Sequence, residues 1–368
     1  MKRLVLCFDG TWNSADSKEA ETNVARIARA VRANSETGGK PQLTLYLRGV
    51  GSTGIALQKL LGGATGLGID DNIISGYMFL AQNYVPGDTI HIFGFSRGAF
   101  TARSLVGFIG CCGLLKREKL ADLRAAWDYY RTGEDRSPPN FCATCKTDSH
   151  QDVQVAFLGV WDTVGALGIP TTVLGALTDD EYEFHDTTPS RIVKIGRHAL
   201  AIDEHRDEFV PTLWTGKLPP GVDIRQVWFA GAHSDVGGGY HDRGLADIPL
   251  RWMAEEAEKS GLKLDWTMLP PKDDPLAPQH ESRLNFSRKD RLTPTIRQIA
   301  GKTIDVSVFE RLYRPLDEDG HPLPTIGEEL HPSVKQRFGK EVVLLANDAD
   351  KVGEKLAYRP RNAQPLIG

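Results

Sequence analysis

No stretch of this 368-residue chain approaches the roughly 18 consecutive apolar residues that a membrane-spanning helix requires, so no segment is expected to cross a bilayer. Cysteine is scarce: five residues, an odd number, argue against a disulfide framework and for a reducing compartment. Charge of either sign is scarce in excess. A net charge of -4 gives no reason to expect nucleic acid as a partner, or an anionic membrane as the main one, although peripheral membrane contact stays open. No internal repeat is present, which excludes a solenoid. The first residues, Met1-Lys2-Arg3, resemble the start of a leader. The apolar stretch behind them is only Leu4 to Phe8 and ends at Asp9, so it reads as a first strand rather than a signal peptide. The expected location is therefore cytoplasmic, or exported without a cleavable signal.

What is present is an ordinary globular composition, 40% apolar and 25% charged, in a chain long enough for a large core. Five short apolar, β-branched or aromatic segments read as buried strands: 4–8, 43–47, 89–93, 153–161 and 226–232. Helical patterns fall at 23–31, 71–83, 97–115, 119–130, 189–202 and 248–260. Alternation of the two predicts an α/β fold with a doubly wound, mostly parallel sheet and helices on both faces. The division expected is a catalytic domain over 1–265, with insertions at about 133–152, a long loop, and 165–188, lid-like. A C-terminal extension over 266–368 packs on the same domain, with a helix near 295–300 and a strand at 342–345.

The most informative motif is Gly94-Phe95-Ser96-Arg97-Gly98, a G-x-S-x-G pentapeptide between a predicted strand and a predicted helix. That setting is the one in which the pentapeptide forms a nucleophile elbow. Ligands of open α/β sheets bind beyond the carboxyl ends of the strands. The residues standing there are Asp9-Gly10-Thr11, Gly49-Val50-Gly51, Ser96, Asp162-Thr163, and His233-Ser234-Asp235 followed by glycines 237–239. Ser, Asp and His thus fall on one edge, in the chain order of an α/β-hydrolase triad.

Each type suits a role. A serine hydroxyl attacks only when a base removes its proton, and His233 titrates near neutrality. Asp162 would hold the imidazole and stabilise its cation. The oxyanion donors expected are the N–H of Arg97 and one from Gly10 or Thr11. Asp9, Asp203 and Asp235 are supporting carboxylates, with Asp203 a rival triad acid; His205 and His241 are rival bases that follow no predicted strand.

Other chemistries are weighed on the same residues. A metal-dependent hydrolase would use Asp9, Asp162, His233 and Asp235 as ligands. An aspartyl phosphatase needs its nucleophile where Cys7 stands. The glycine-rich 62–68 lacks the Gly-Lys-Ser/Thr ending of a phosphate loop. Cys142-Ala143-Thr144-Cys145 lacks a second pair for zinc, and no cofactor is expected. A non-catalytic binding protein of hydrolase fold is the third alternative.

Phe8-Asp9-Gly10-Thr11-Trp12-Asn13, Gly66-Leu67-Gly68 with Asn72 and Tyr77, the run Gly94 to Arg103, Gly159-Val160-Trp161-Asp162-Thr163-Val164 and the run Gly231 to Tyr240 occur in this order. Over roughly the first 250 residues the chain resembles the α/β-hydrolase-like family that includes the type VI secretion phospholipase effectors. The resemblance implies a Ser-His-Asp hydrolase with an acyl-enzyme, acting on carboxylic esters, lipid and phospholipid acyl esters among them. It places the catalytic roles on Ser96, Asp162 and His233.

Overall fold

In the computed structural model the described residues are 1–10, 20–32, 39–49, 67–132, 135–165, 187–285, 292–317, 319–346, 348, 350 and 352–367. Seven strands form the central sheet: β1 (Arg3–Phe8), β2 (Gln42–Leu47), β3 (Thr89–Phe95), β4 (Val155–Trp161), β5 (Val193–Ala201), β6 (Asp223–Phe229) and β7 (Glu328–Leu330). Their order is β7-β6-β5-β4-β3-β1-β2 and every neighbouring pair is parallel. Parallel neighbours need crossovers, and the crossovers cover both faces.

Side chains of β1 alternate between those two faces, as the two-residue period of a strand dictates. Leu4, Leu6 and Phe8 pack with α2 (Leu67–Asn83) and α3 (Arg97–Cys112), while Val5 and Cys7 pack with α1 (Asn23–Ala30). Tyr77 of α2 donates its hydroxyl hydrogen to Gly113 O (2.9 Å) and accepts from Leu115 N (3.0 Å), which satisfies a buried phenol. Each fully buried Leu or Phe contributes about 1.5–3 kcal/mol, so this two-sided core is the main source of stability.

Three sequence expectations are corrected. The segment 189–202 is not a helix: it is β5, a central strand buried on both faces. Its apolar run is interrupted by Arg197 and His198, which are nonetheless buried. Arg197 pairs with Glu256 and Asp223 at 2.6 Å each, and His198 accepts from Thr163 N (3.1 Å). The segment 133–152 is not simply a loop, since Pro138–Cys145 is helical with proline in its first turn. The segment 295–300 holds a short strand, Thr295–Arg297, paired with Arg311–Tyr313, rather than a helix. Most of 165–188, and 62–66 of the glycine-rich stretch, lie outside the described residues. The strand expected at 342–345 is present as Glu341–Leu345.

The C-terminal third is wired into the sheet. β7 extends the sheet beside β6, and Gln226 Nε2 of β6 donates to Ile326 O at 2.7 Å. A third apolar cluster, including Leu200, Trp228, Ile299, Val334 and Tyr358, joins β5 and β6 to it.

Candidate active site

Strand register sets the level of the site. Phe95 pairs with Trp161, and Trp161 with Ala199, so Ser96 and Asp162 leave adjacent strands at the same height. Ser96 N donates to Trp161 O at 3.0 Å. Ser96 has φ 56 and ψ -124, and Asp162 has φ 37. Side chains other than glycine rarely hold positive φ, and such backbone stores on the order of 1–3 kcal/mol. Among the described residues four other than glycine have positive φ, and two are these strand-end residues. Strain concentrated there is a mark of function.

The flanking glycines make the turn feasible. A Cβ on Gly94 would overlap Gly98 and Ala99, and a Cβ on Gly98 would overlap the carbonyl oxygens of Phe8 and Asp9. Backbone cannot recede as a flexible side chain can. Gly98→Ala is therefore expected to cost more than about 3 kcal/mol and to disable the site, as measured by denaturant unfolding and turnover; a wild-type midpoint would contradict this packing.

α3 starts at Arg97. Ser96 O accepts from Ala99 N and Phe100 N, whereas Arg97 N–H makes no hydrogen bond among the described residues. It is one of the donors that a helix leaves unsatisfied at its start. The Arg97 guanidinium likewise has no counter-charge among the described residues, and burial brings its pKa down to about 10.

His233 opens a short helix, α4 (His233–Gly237), directly beyond β6. Its Nδ1 lies 2.6 Å from Asp162 Oδ2, and both side chains are buried. The ring is wedged between Phe95 (centroids 4.6 Å) and Phe209 (4.9 Å, edge-on). Gly237 matters here because any Cβ would run into the Phe95 ring. Burial lowers the His233 pKa below its ordinary value, opposed by the Asp162 hydrogen bond and charge. That direction favours the neutral imidazole, the form a base must take.

Asp162 is fully buried. Burial pushes its pKa up, but Arg297 first, and then His233, hold it well below the usual carboxylate range. Arg297 donates through Nη1 to Oδ1 (2.7 Å) and through Nη2 to Oδ2 (3.1 Å), while Ala201 N donates to Oδ1 (3.1 Å).

The other sequence candidates sit elsewhere. Asp203 accepts from Gly231 N (2.7 Å) and Tyr358 OH (2.9 Å), with burial raising its pKa to about 6; it makes no hydrogen bond to His233. Asp9 accepts from Gly10 N (2.7 Å), Thr22 Oγ1 (2.9 Å) and the Tyr46 hydroxyl. Burial raises Asp9 to about 6, with those bonds opposing. The Gly10 N–H is thereby committed to a carboxylate, which removes it as a ready oxyanion donor; Thr11 lies outside the described residues. Asp235 accepts from Ala232 N (3.0 Å), His280 N (2.9 Å) and His280 Nδ1 (2.7 Å), so it braces α4. His205 bonds Glu281 and His241 bonds Asp348, where His233 bonds Asp162. The four carboxylate and histidine ligands of the metal alternative do not converge. Among the described residues no three of His, Cys, Asp and Glu form a metal-holding group.

Two residues escaped sequence reasoning. Glu204 is fully buried and accepts from His233 N (3.2 Å), Ser282 Oγ (3.2 Å) and the Arg206 guanidinium (2.7 Å). It follows β5, and reading that segment as a strand would have marked it by the strand-end rule. Arg297 carries no local signal: its burial makes sense only beside a carboxylate 135 residues away.

No helix among the described residues is long and apolar enough to cross a membrane. Among known proteins, an uncharacterized protein of Saccharomyces cerevisiae, YEL023C, is 32% identical over 236 residues, 58% of this chain; the chain spans about a third of that relative's length (33%). Among solved structures, an uncharacterized protein from Pseudomonas aeruginosa aligns at 18% identity and TM-score 0.42, over 73% of this chain and 48% of that one. The Tle1 effector bound to the VgrG spike of the type 6 secretion system aligns at 14% identity and TM-score 0.45, over 72% of this chain and 74% of that one. Residues 2–256 match the family described as type VI secretion system phospholipase effector, Tle1-like, catalytic domain, and the chain belongs to that family.

Proposed function

We propose that the chain is a lipid ester hydrolase that works through Ser96, His233 and Asp162 and an acyl-enzyme. The observation that carries this reading is the 2.6 Å His233–Asp162 bond at the level of a strained Ser96 on a strand-to-helix turn. His233 Nδ1 is tied to the carboxylate, so Nε2 is the basic nitrogen left to accept the Ser96 proton. Attack on an ester carbonyl forms a tetrahedral oxyanion, which the unbonded Arg97 N–H and the positive end of α3 favour. His233 then returns the proton to the departing alcohol, and water activated by the same nitrogen releases the acid.

Membership of the phospholipase effector family supports a phospholipid acyl ester as substrate. So does Arg97, a half-buried cation with no counter-charge among the described residues; the phosphate of a phospholipid head group supplies one. The test compares p-nitrophenyl esters of increasing chain length with phosphatidylglycerol and diacylglycerol vesicles. Wild type should hydrolyse all of them, and Arg97→Gln should lose about ten-fold or more on the phospholipid while changing little on the neutral esters. Equal losses on both would remove the head-group role. Activity abolished by a chelator yet intact in Ser96→Ala would overturn the serine mechanism itself.

A further inference from the structure

The family match ends at residue 256, and the buried cation on the candidate triad acid comes from beyond it. The geometry points to Arg297 as a positioning residue of the catalytic machinery: it clamps the Asp162 carboxylate and sets the pH at which His233 becomes a working base. This rests on the Ser-His-Asp reading above.

Four observations lead there. Arg297 is among the largest fully buried side chains of the molecule. Its Nη1 and Nη2 both reach Asp162, the fork-on-carboxylate arrangement that fixes a plane as well as a distance. The same two nitrogens also donate to Ala201 O (2.8 Å) and to Phe209 O. Phe209 in turn packs edge-on against the His233 ring. One guanidinium therefore orients the carboxylate, the end of β5 and the aromatic wall of the imidazole together.

The electrostatic consequence follows from who faces His233. Two carboxylates, Asp162 and Glu204, favour its protonated form. Arg206 is bound to Glu204, and Arg297 is bound to Asp162. Each arginine cancels one carboxylate. Asp162 can still accept the Nδ1 hydrogen bond, yet its charge is shared, so the imidazole keeps its base form to lower pH. Without Arg297 an uncompensated carboxylate would hold a proton on His233, and the acid limb of activity would move up.

Arg297 stands on the short strand Thr295–Arg297, held by Arg311–Tyr313 and by Thr295 N donating to His205 O (2.9 Å). Through Arg297 the C-terminal third thus contributes to the site, rather than only covering it.

The test uses the full chain with Arg297→Gln and Arg297→Lys, each corrected for active fraction by fluorophosphonate titration. Arg297→Gln should lower kcat/KM per titrated site by up to about 100-fold and raise the apparent pKa of the acid limb by about one unit. Arg297→Lys keeps the charge without the fork, so it should keep most of the acid-limb position and lose rate. NMR titration of the His233 imidazole, free of any turnover, should show the same upward shift in Arg297→Gln. Variants that are less stable but show unchanged acid limbs and an unchanged imidazole titration would overturn the proposal, leaving Arg297 a packing element. If the imidazole shifts but Ser96 never labels, the positioning role stands and the nucleophile assignment fails. If Arg297→Gln does not fold, the lysine variant decides: wild-type rate and pH profile together would contradict a need for the fork.

Discussion

Ser96→Ala is expected to reduce turnover by roughly 10⁴- to 10⁶-fold while leaving the fold intact. The size comes from role, not packing. Ser96 is buried but contributes one hydroxyl; α3 is held by its own ladder and by the core it shares with Ile90 and Ile92 of β3. Stability should behave differently from activity. Ser96 sits at φ 56 and ψ -124, which alanine cannot relieve and glycine can. Ser96→Gly is therefore expected to be as inactive as alanine and more stable than wild type by about 1 kcal/mol, read from urea unfolding. If both variants unfold at lower denaturant than wild type, the backbone strain assigned to the elbow is not there. If either retains appreciable turnover, Ser96 is not the nucleophile.

Asp162→Asn is expected to be nearly as severe, about 10⁴-fold in kcat, because an amide in that place favours the wrong imidazole tautomer. It should also cost stability, by about 3–5 kcal/mol, since it strips a buried Arg297 of its counter-charge. The two effects can be separated. The pair Asp162→Asn with Arg297→Gln should regain much of the lost stability and none of the activity, a coupling that a double-mutant cycle measures directly. The pH dependence has a defined sign. The folded pKa of Asp162 lies below its ordinary value, so its stabilisation is complete above the unfolded carboxylate range, about pH 4, and is lost as pH falls toward the depressed folded value. Asp203→Asn should be mild by comparison, because Asp203 is tied to Gly231 and Tyr358 rather than to the imidazole. A ranking with Asp203→Asn worse would reverse the choice of acid.

Sequence patterns made the sheet's centre readable where strands are short, apolar and bounded by small residues, as at Leu4 to Phe8 and Gly94 to Gly98. They failed at β5, where Arg197 and His198 interrupt the apolar run and resemble one polar stripe of a helix. Partners supplied by distant elements, Glu256 and Gln226, make those polar groups tolerable inside, and nothing local announces them. The same blindness hid Glu204 and Arg297. A side chain whose burial is justified by a contact 135 residues away leaves no trace in a window of ten. Gly10 shows a related limit: its N–H is bonded to the neighbouring Asp9 carboxylate, which a strand-end rule does not weigh. What sequence order did convey was the level of Ser96, Asp162 and His233 on one edge, because parallel register fixes height from strand ends alone.

The central claim, that Ser96 is a nucleophile activated by His233, is tested most directly by reacting the folded chain with a fluorophosphonate and locating the adduct by peptide mass spectrometry. The account predicts one adduct, on Ser96, formed rapidly in wild type and slowed by orders of magnitude in His233→Ala. No adduct on the folded protein, or an adduct on Ser96 that forms equally fast without His233, would contradict it.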